Sequence, residues 1–114
     1  MASSSIFVYG DAWESVAVTS LSKLLQKLGP GYALRITYSA TDNGKVWICL
    51  PLTKAGWTGI GQSNPIIRGD SIIIPYSVIK RATGNQFNPF DTLYIKGNTQ
   101  WTVTKIEVVR WTEQ

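Results

Sequence analysis

Apolar side chains in this chain recur at every second position, in short runs cut apart by turn residues. From Tyr32 to Ala40, Leu34, Ile36 and Tyr38 fall on one face and Arg35 and Thr37 on the other. A period of two marks a strand, because successive side chains along it point to opposite faces. The same alternation runs through Ile6–Tyr9, which stops at Gly10-Asp11, and through Glu14–Thr19, with Val16 and Val18 in phase. It returns in Lys45–Leu50, where Val46, Ile48 and Leu50 oppose Trp47 and Cys49. Ser71–Pro75 is an isoleucine-rich strand, and in Asp91–Lys96 Leu93 and Ile95 oppose Tyr94 and Lys96. Gln100–Trp111 reads as a long last strand whose parity breaks between Val103 and Ile106, which predicts a β-bulge.

Two stretches follow a different period. Leu21, Leu24, Leu25 and Leu28 recur at helical spacing with Lys23, Gln26 and Lys27 opposite them. Ser20 or Thr19 is the expected cap, and Gly29-Pro30-Gly31 the stop. Tyr76–Ala82 predicts a helical turn with Val78 and Ile79 inward. Asp42-Asn43-Gly44 reads as a hairpin turn and Gly97-Asn98 as a tight turn. Pro51–Asp70 and Gly84–Pro89 read as loops, and a loop as long as the first is often functional. About eight short strands with turns every eight to twelve residues predict an all-β fold. The expected form is a jelly-roll-like β-sandwich of two antiparallel sheets with one or two short helices. At 114 residues and 44% hydrophobic the chain suits one domain, placed at residues 6–112. Met1–Ser5 is expected to be a leader outside it.

The chemistry available is narrow. There is no histidine, hence neither the commonest general base nor the commonest metal ligand. The single Cys49 allows no internal disulfide and reads as an inert thiol in an apolar run. The seven carboxylates, Asp11, Glu14, Asp42, Asp70, Asp91, Glu107 and Glu113, sit mostly at turns or strand ends, where Asp is common for backbone reasons. No phosphate-cradling glycine motif is present. The expectation is no catalytic residue, no cofactor and no metal. The net charge of +4 is scattered, only 16% of residues are charged, and no apolar run approaches the roughly 18 residues of a membrane span.

What stands out is the aromatic load, five Trp and five Tyr. An indole face stacks on the C–H face of a pyranose, burying apolar area against a negative π surface. A surface poor in charge but rich in aromatics, hydroxyls and amides suits such a neutral polar ligand. Trp57 lies in the glycine-rich loop, Trp13 at the mouth of the second strand, and Trp47 opposite the core face of its own strand; these are the candidate platforms. Arg35 and Tyr94 project from outward faces, and Gln62 and Asn64 share the Trp57 loop, so these four are candidate polar contacts. Trp101 and Trp111 read as structural, and Tyr9, Tyr32, Tyr38 and Tyr76 as core or rim packing.

Residues Asp70–Val109, DSIIIPYSVIKRATGNQFNPFDTLYIKGNTQWTVTKIEVV, run from a strand to a short helix, then LYIKG, a turn and VTKIEVV. The front half adds WESVAV, SKLLQKLGPGYALRITYSATDNGKVWICL and the GW loop. Together these resemble β-sandwich carbohydrate-binding modules, of the β-glucan-binding type, attached to bacterial plant-cell-wall hydrolases. The resemblance covers residues 6–110. It implies a non-catalytic, monomeric module of a secreted or cell-surface enzyme. Its partners would be a β-1,4 or mixed-linkage glucan such as cellulose, with xyloglucan or mannan as further candidates, and an appended glycoside hydrolase or cellulosomal modules. Trp13 and Trp57 match where such modules carry platform tryptophans; at Trp47 many relatives carry a polar residue, and at Trp101 a smaller one. Two other classes compete: a small barrel binding single-stranded nucleic acid, which the basic pI permits and the scattered cations disfavour, and a structural or protein-interaction sandwich with its rings packed inside. Neither a nucleic acid nor a membrane is the expected partner.

Overall fold

A computed structural model describes residues 2–51, 57–60, 66–68, 70–83 and 92–112, with backbone alone at 2–6, 43, 50, 51, 57–60, 66–68, 82 and 83. Strands β1 (Ala2–Gly10), β3 (Tyr32–Ala40), β6 (Ile66–Arg68), β7 (Ser71–Pro75) and β9 (Trp101–Arg110) form the larger sheet, in the order β1-β9-β3-β7-β6. Strands β2 (Val16–Val18), β4 (Val46–Pro51), β5 (Trp57–Ile60) and β8 (Leu93–Gly97) form the smaller, in the order β2-β8-β4-β5. Every pairing is antiparallel. Helices α1 (Ser22–Leu25) and α2 (Tyr76–Thr83) complete the β-sandwich that the period-two runs predict.

The inner faces are built by register. Leu34 pairs with Ile74 on one side and Val108 on the other, and Ile36 with Ile72 and Ile106, so apolar rows cross three strands. Opposite them, Val18, Val46, Ile48, Leu93 and Ile95 close the core, and all of these side chains are buried. Burying a residue of this size stabilises the fold by about 1.5–3 kcal/mol. The α1 segment adds Leu21, Leu24, Leu25 and Leu28 to the same cluster, and α2 adds Ile79.

The bulge stands where parity predicts it. Thr37 pairs with Lys105 and Tyr38 with Val103, so Thr104 is the extra residue. On the other flank the register of β1 passes from Ser5↔Lys105 to Val8↔Val103, setting Ile6 and Phe7 against that one residue. The bulge returns Val8 to the core row, and Phe7 and Tyr9 then alternate outward.

Four local expectations change. Ala2–Ser5, read as a leader, pairs with β9 and is the first half of β1. Neither Ser20 nor Thr19 caps α1: Leu21 holds that position without a side-chain bond, and Ser20 takes a left-handed φ of 62°. So short a helix persists through burial of its leucines, not through capping. Asp42-Asn43-Gly44 makes no hairpin. It is a 3-10 turn with Asp42 at φ 53°, and it carries the chain from one sheet to the other. Its polar groups go to the neighbouring turn: Thr41 N donates to Gln100 O at 3.0 Å and Lys45 N to Asn98 Oδ1 at 2.8 Å. Within Pro51–Asp70, read as one loop, β5 and β6 interrupt it.

Trp101 is 2% exposed and belongs to the core, as its phase in β9 predicts. A methyl group on Gly10 would come to 2.6 Å from its ring, and one on Gly97 to 2.6 Å from its Cδ1 and 3.0 Å from the Lys45 carbonyl. Both glycines are therefore places where the backbone of an adjoining strand lies against the indole. The buried Nε1–H of Trp101 has no acceptor among the described residues. Gly29, with nothing within 4 Å of its would-be methyl group, is the control. Gly97→Ala and Gly10→Ala are each expected to cost about 1–3 kcal/mol of unfolding free energy in urea titrations. Gly29→Ala is expected to change it by less than about 0.5 kcal/mol.

Candidate functional site

Trp13 lies in the link between β1 and β2, where the chain leaves the larger sheet for the smaller. A reciprocal turn holds this link. Glu14 N donates to Asp11 O at 3.1 Å, Asp11 N to Glu14 Oε1 at 3.3 Å, and the Gln100 amide to Asp11 Oδ1 at 3.1 Å. Trp13 N donates to Gly97 O at 2.7 Å, and its φ is 68°. A left-handed backbone at a bulky residue costs about 1–2 kcal/mol and persists where the surroundings fix it. Here it leaves the indole 60% exposed.

The exposed ring is braced from beneath. Trp13 and Trp47 meet edge to face, with centroids 5.8 Å apart and planes at 62°. Trp47 points to the outer side of β4, as its parity predicts, yet it is 6% exposed. It is a support for Trp13 more than a surface in its own right. The next outward pair along β4 and β8 is Cys49 and Tyr94, both half-buried, and Trp47 pairs with Lys96. Trp57 opens β5 opposite Pro51, a register position of the same parity as Trp47 and Cys49, and its side chain lies outside the described residues. Gln62 and Asn64 lie outside the described residues altogether.

Arg35 does not join this group. It projects from β3 on the outer face of the other sheet, on the far side of the sandwich. Its Nε donates to Ser71 Oγ at 2.9 Å and lies 3.6 Å from Glu107 Oε1, while Lys105 Nζ is 3.6 Å from Glu107 Oε2. Its outward position in β3 is the one that alternation predicts, but parity alone does not tell which sheet a strand joins. Conversely, Tyr9, expected to pack in core or rim, is 69% exposed, and Phe7 beside it is 74% exposed. The signal for both was available: once Val8 is inward, Phe7 and Tyr9 must face outward.

This arrangement offers planar faces and hydrogen-bonding groups. Burial raises the pKa of the Cys49 thiol, with the Lys96 ammonium opposing in part. Two solved structures match the chain across nearly its whole length, both described as a carbohydrate-binding module of the endoglucanase Cel5A from Eubacterium cellulosolvens. The first has a TM-score of 0.62 at 15% identity, covering 95% of each chain. The second has a TM-score of 0.51 at 15% identity, covering 96% of this chain and 94% of that one. At that identity the likeness establishes a shared β-sandwich fold. No protein-family model and no curated protein sequence matches the chain.

Two outcomes follow from the geometry. Trp47→Ala should lower the unfolding free energy by about 3–5 kcal/mol, while Trp13→Ala should lower it by less than about 1 kcal/mol, measured in urea. Because the folded pKa of Cys49 lies above the unfolded one, the thiol form is favoured on folding. Its contribution to stability is complete below the unfolded pKa and is lost as pH rises through the folded one. Alkylation of the native protein by iodoacetamide should therefore stay slow at neutral pH, and urea-unfolded protein should react faster at the same pH.

Proposed function

We propose that this chain is a non-catalytic carbohydrate-binding module that binds β-glucans by stacking sugar rings on exposed tryptophan. The observation that carries the reading is Trp13: a large indole kept in water by a left-handed backbone, fixed through Gly97 and braced by Trp47. Leaving such a ring wet forfeits burial energy, and a braced ring loses little freedom when a ligand stacks on it. The fold shared with the modules of an endoglucanase supports the same reading. So does the sparse charge, which suits a neutral polymer.

In this reading the ligand is an extended β-1,4 or mixed-linkage glucan, with xyloglucan or mannan as related candidates. The chain lies over Trp13, with Trp57, Tyr94, Gln62 and Asn64 offered as further contacts. The module works as a monomer, outside the cell, joined to a glycoside hydrolase that it holds near its substrate. Stacking contributes about 1–3 kcal/mol per ring, taking base stacking as the measure, and ordering the flexible polymer offsets part of it. Affinity is accordingly modest.

Affinity gel electrophoresis with soluble mixed-linkage β-glucan and xyloglucan tests this. The wild-type chain should be retarded, and Trp13→Ala should weaken the association constant by roughly 5- to 150-fold at unchanged melting temperature. Retardation should persist in high salt, whereas nucleic-acid binding would fall steeply with ionic strength. Equal retardation of wild type and Trp13→Ala would count against the site.

A further inference from the structure

We infer that the outer face of the larger sheet carries a second saccharide site, built on Phe7 and Tyr9 and separate from the Trp13 surface. The two rings stand on edge strand β1, with centroids 6.1 Å apart and planes tilted by 59°. The tilt keeps them from stacking on one another, so each leaves a face open. Beside them runs a groove of about 420 Å³ that reaches across β9 and β3 to the turn after Ala40. That volume falls in the range of small-molecule sites, about 300–1,000 Å³.

The lining chooses the ligand. Apart from the rings, it offers the hydroxyls of Ser39, Thr41 and Thr102, the amide of Gln100 and the carboxylate of Asp11. Tyr9 pairs with Thr102, and Thr102 with Ser39, so ring and hydroxyls form one outward row across three strands. Gln100 fixes the Asp11 carboxylate at the mouth through its bond to Oδ1. Hydroxyls and an amide both donate and accept, and a carboxylate accepts from neighbouring hydroxyls. Two apolar planes next to such a rim fit one or two neutral pyranose units. No cation lines the groove among the described residues, so an anionic ligand gains nothing there. The bulge that sets Ile6 and Phe7 against Thr104 gives the site its footing, since it aligns Phe7 outward with Tyr9.

This inference does not depend on the Trp13 surface, and the test separates them. Isothermal titration calorimetry with a short β-1,4-gluco-oligosaccharide and a xyloglucan oligosaccharide would compare wild type, Trp13→Ala and the double variant Phe7→Ala/Tyr9→Ala. Both removed rings are exposed, so the double variant should fold, and its melting temperature checks that. The wild type is expected to take up two oligosaccharides per chain. The double variant should lose about tenfold or more in affinity at one site and keep the other, and Trp13→Ala should show the converse. As a second readout, the wild-type backbone amides of Tyr9, Thr41 and Thr102 should shift saturably on titration. A wild type that takes up one oligosaccharide per chain, with that site unchanged in the double variant, would overturn the inference. So would a double variant with altered sedimentation and unaltered sugar binding, which would make β1 a contact between copies. Loss of all binding in the double variant, with none in Trp13→Ala, would sustain this site and remove the one at Trp13.

Discussion

The packing of one indole organises the end of the sandwich where the exposed aromatics lie. Trp101 fills the core at the start of β9 with the backbones of Gly10 and Gly97 laid against it. Gly10 ends β1, the strand that carries Phe7 and Tyr9, and opens the link that carries Trp13. Gly97 ends β8, and its carbonyl receives the Trp13 N–H. A buried ring thus fixes where three wet rings stand. The two glycines are the condition for it, since any side chain there would enter the indole.

The tryptophans divide by what lies beneath them. Trp101 is interior, Trp47 is outward but covered, and Trp13 is exposed on top of Trp47. The sandwich therefore does not present a row of bare indoles among its described residues. It presents a braced Trp13 on one side and the Phe7–Tyr9 pair on the other. Each stands beside polar side chains: Asp11 and Glu14 flank Trp13 in the chain, and hydroxyls, an amide and the Asp11 carboxylate line the groove beside Phe7 and Tyr9. Such surfaces suit a ligand held by stacking and hydrogen bonds, which is the basis of the proposed glycan binding.

Much of this architecture was legible in the residues because alternation is a local property. Leu34, Ile36, Val46, Ile48, Leu93 and Ile95 are inward as their phase predicts, and the break between Val103 and Ile106 is a bulge. Partnership between strands is not local. Asp42-Asn43-Gly44 has the chemistry of a hairpin, yet β3 and β4 belong to different sheets, because the turn bonds to residues 97–100 instead. The same gap explains Arg35, whose outward parity was correct and whose sheet was not inferable. Phe7 and Tyr9 were legible in principle from Val8. The serine run at positions 3–5 carries no apolar alternation, so β1 reads as a strand only from Ile6, although it pairs with β9 from Ala2.

The central claim is that an exposed, braced Trp13 receives a neutral sugar chain. The most direct measurement is a nuclear magnetic resonance titration that follows the Trp13 indole N–H while a β-1,4-gluco-oligosaccharide is added at low and then high ionic strength. The account predicts a saturable shift of that resonance with the same apparent affinity in both salts. A resonance that stays fixed while the oligosaccharide binds, or a shift that vanishes in salt, would contradict it.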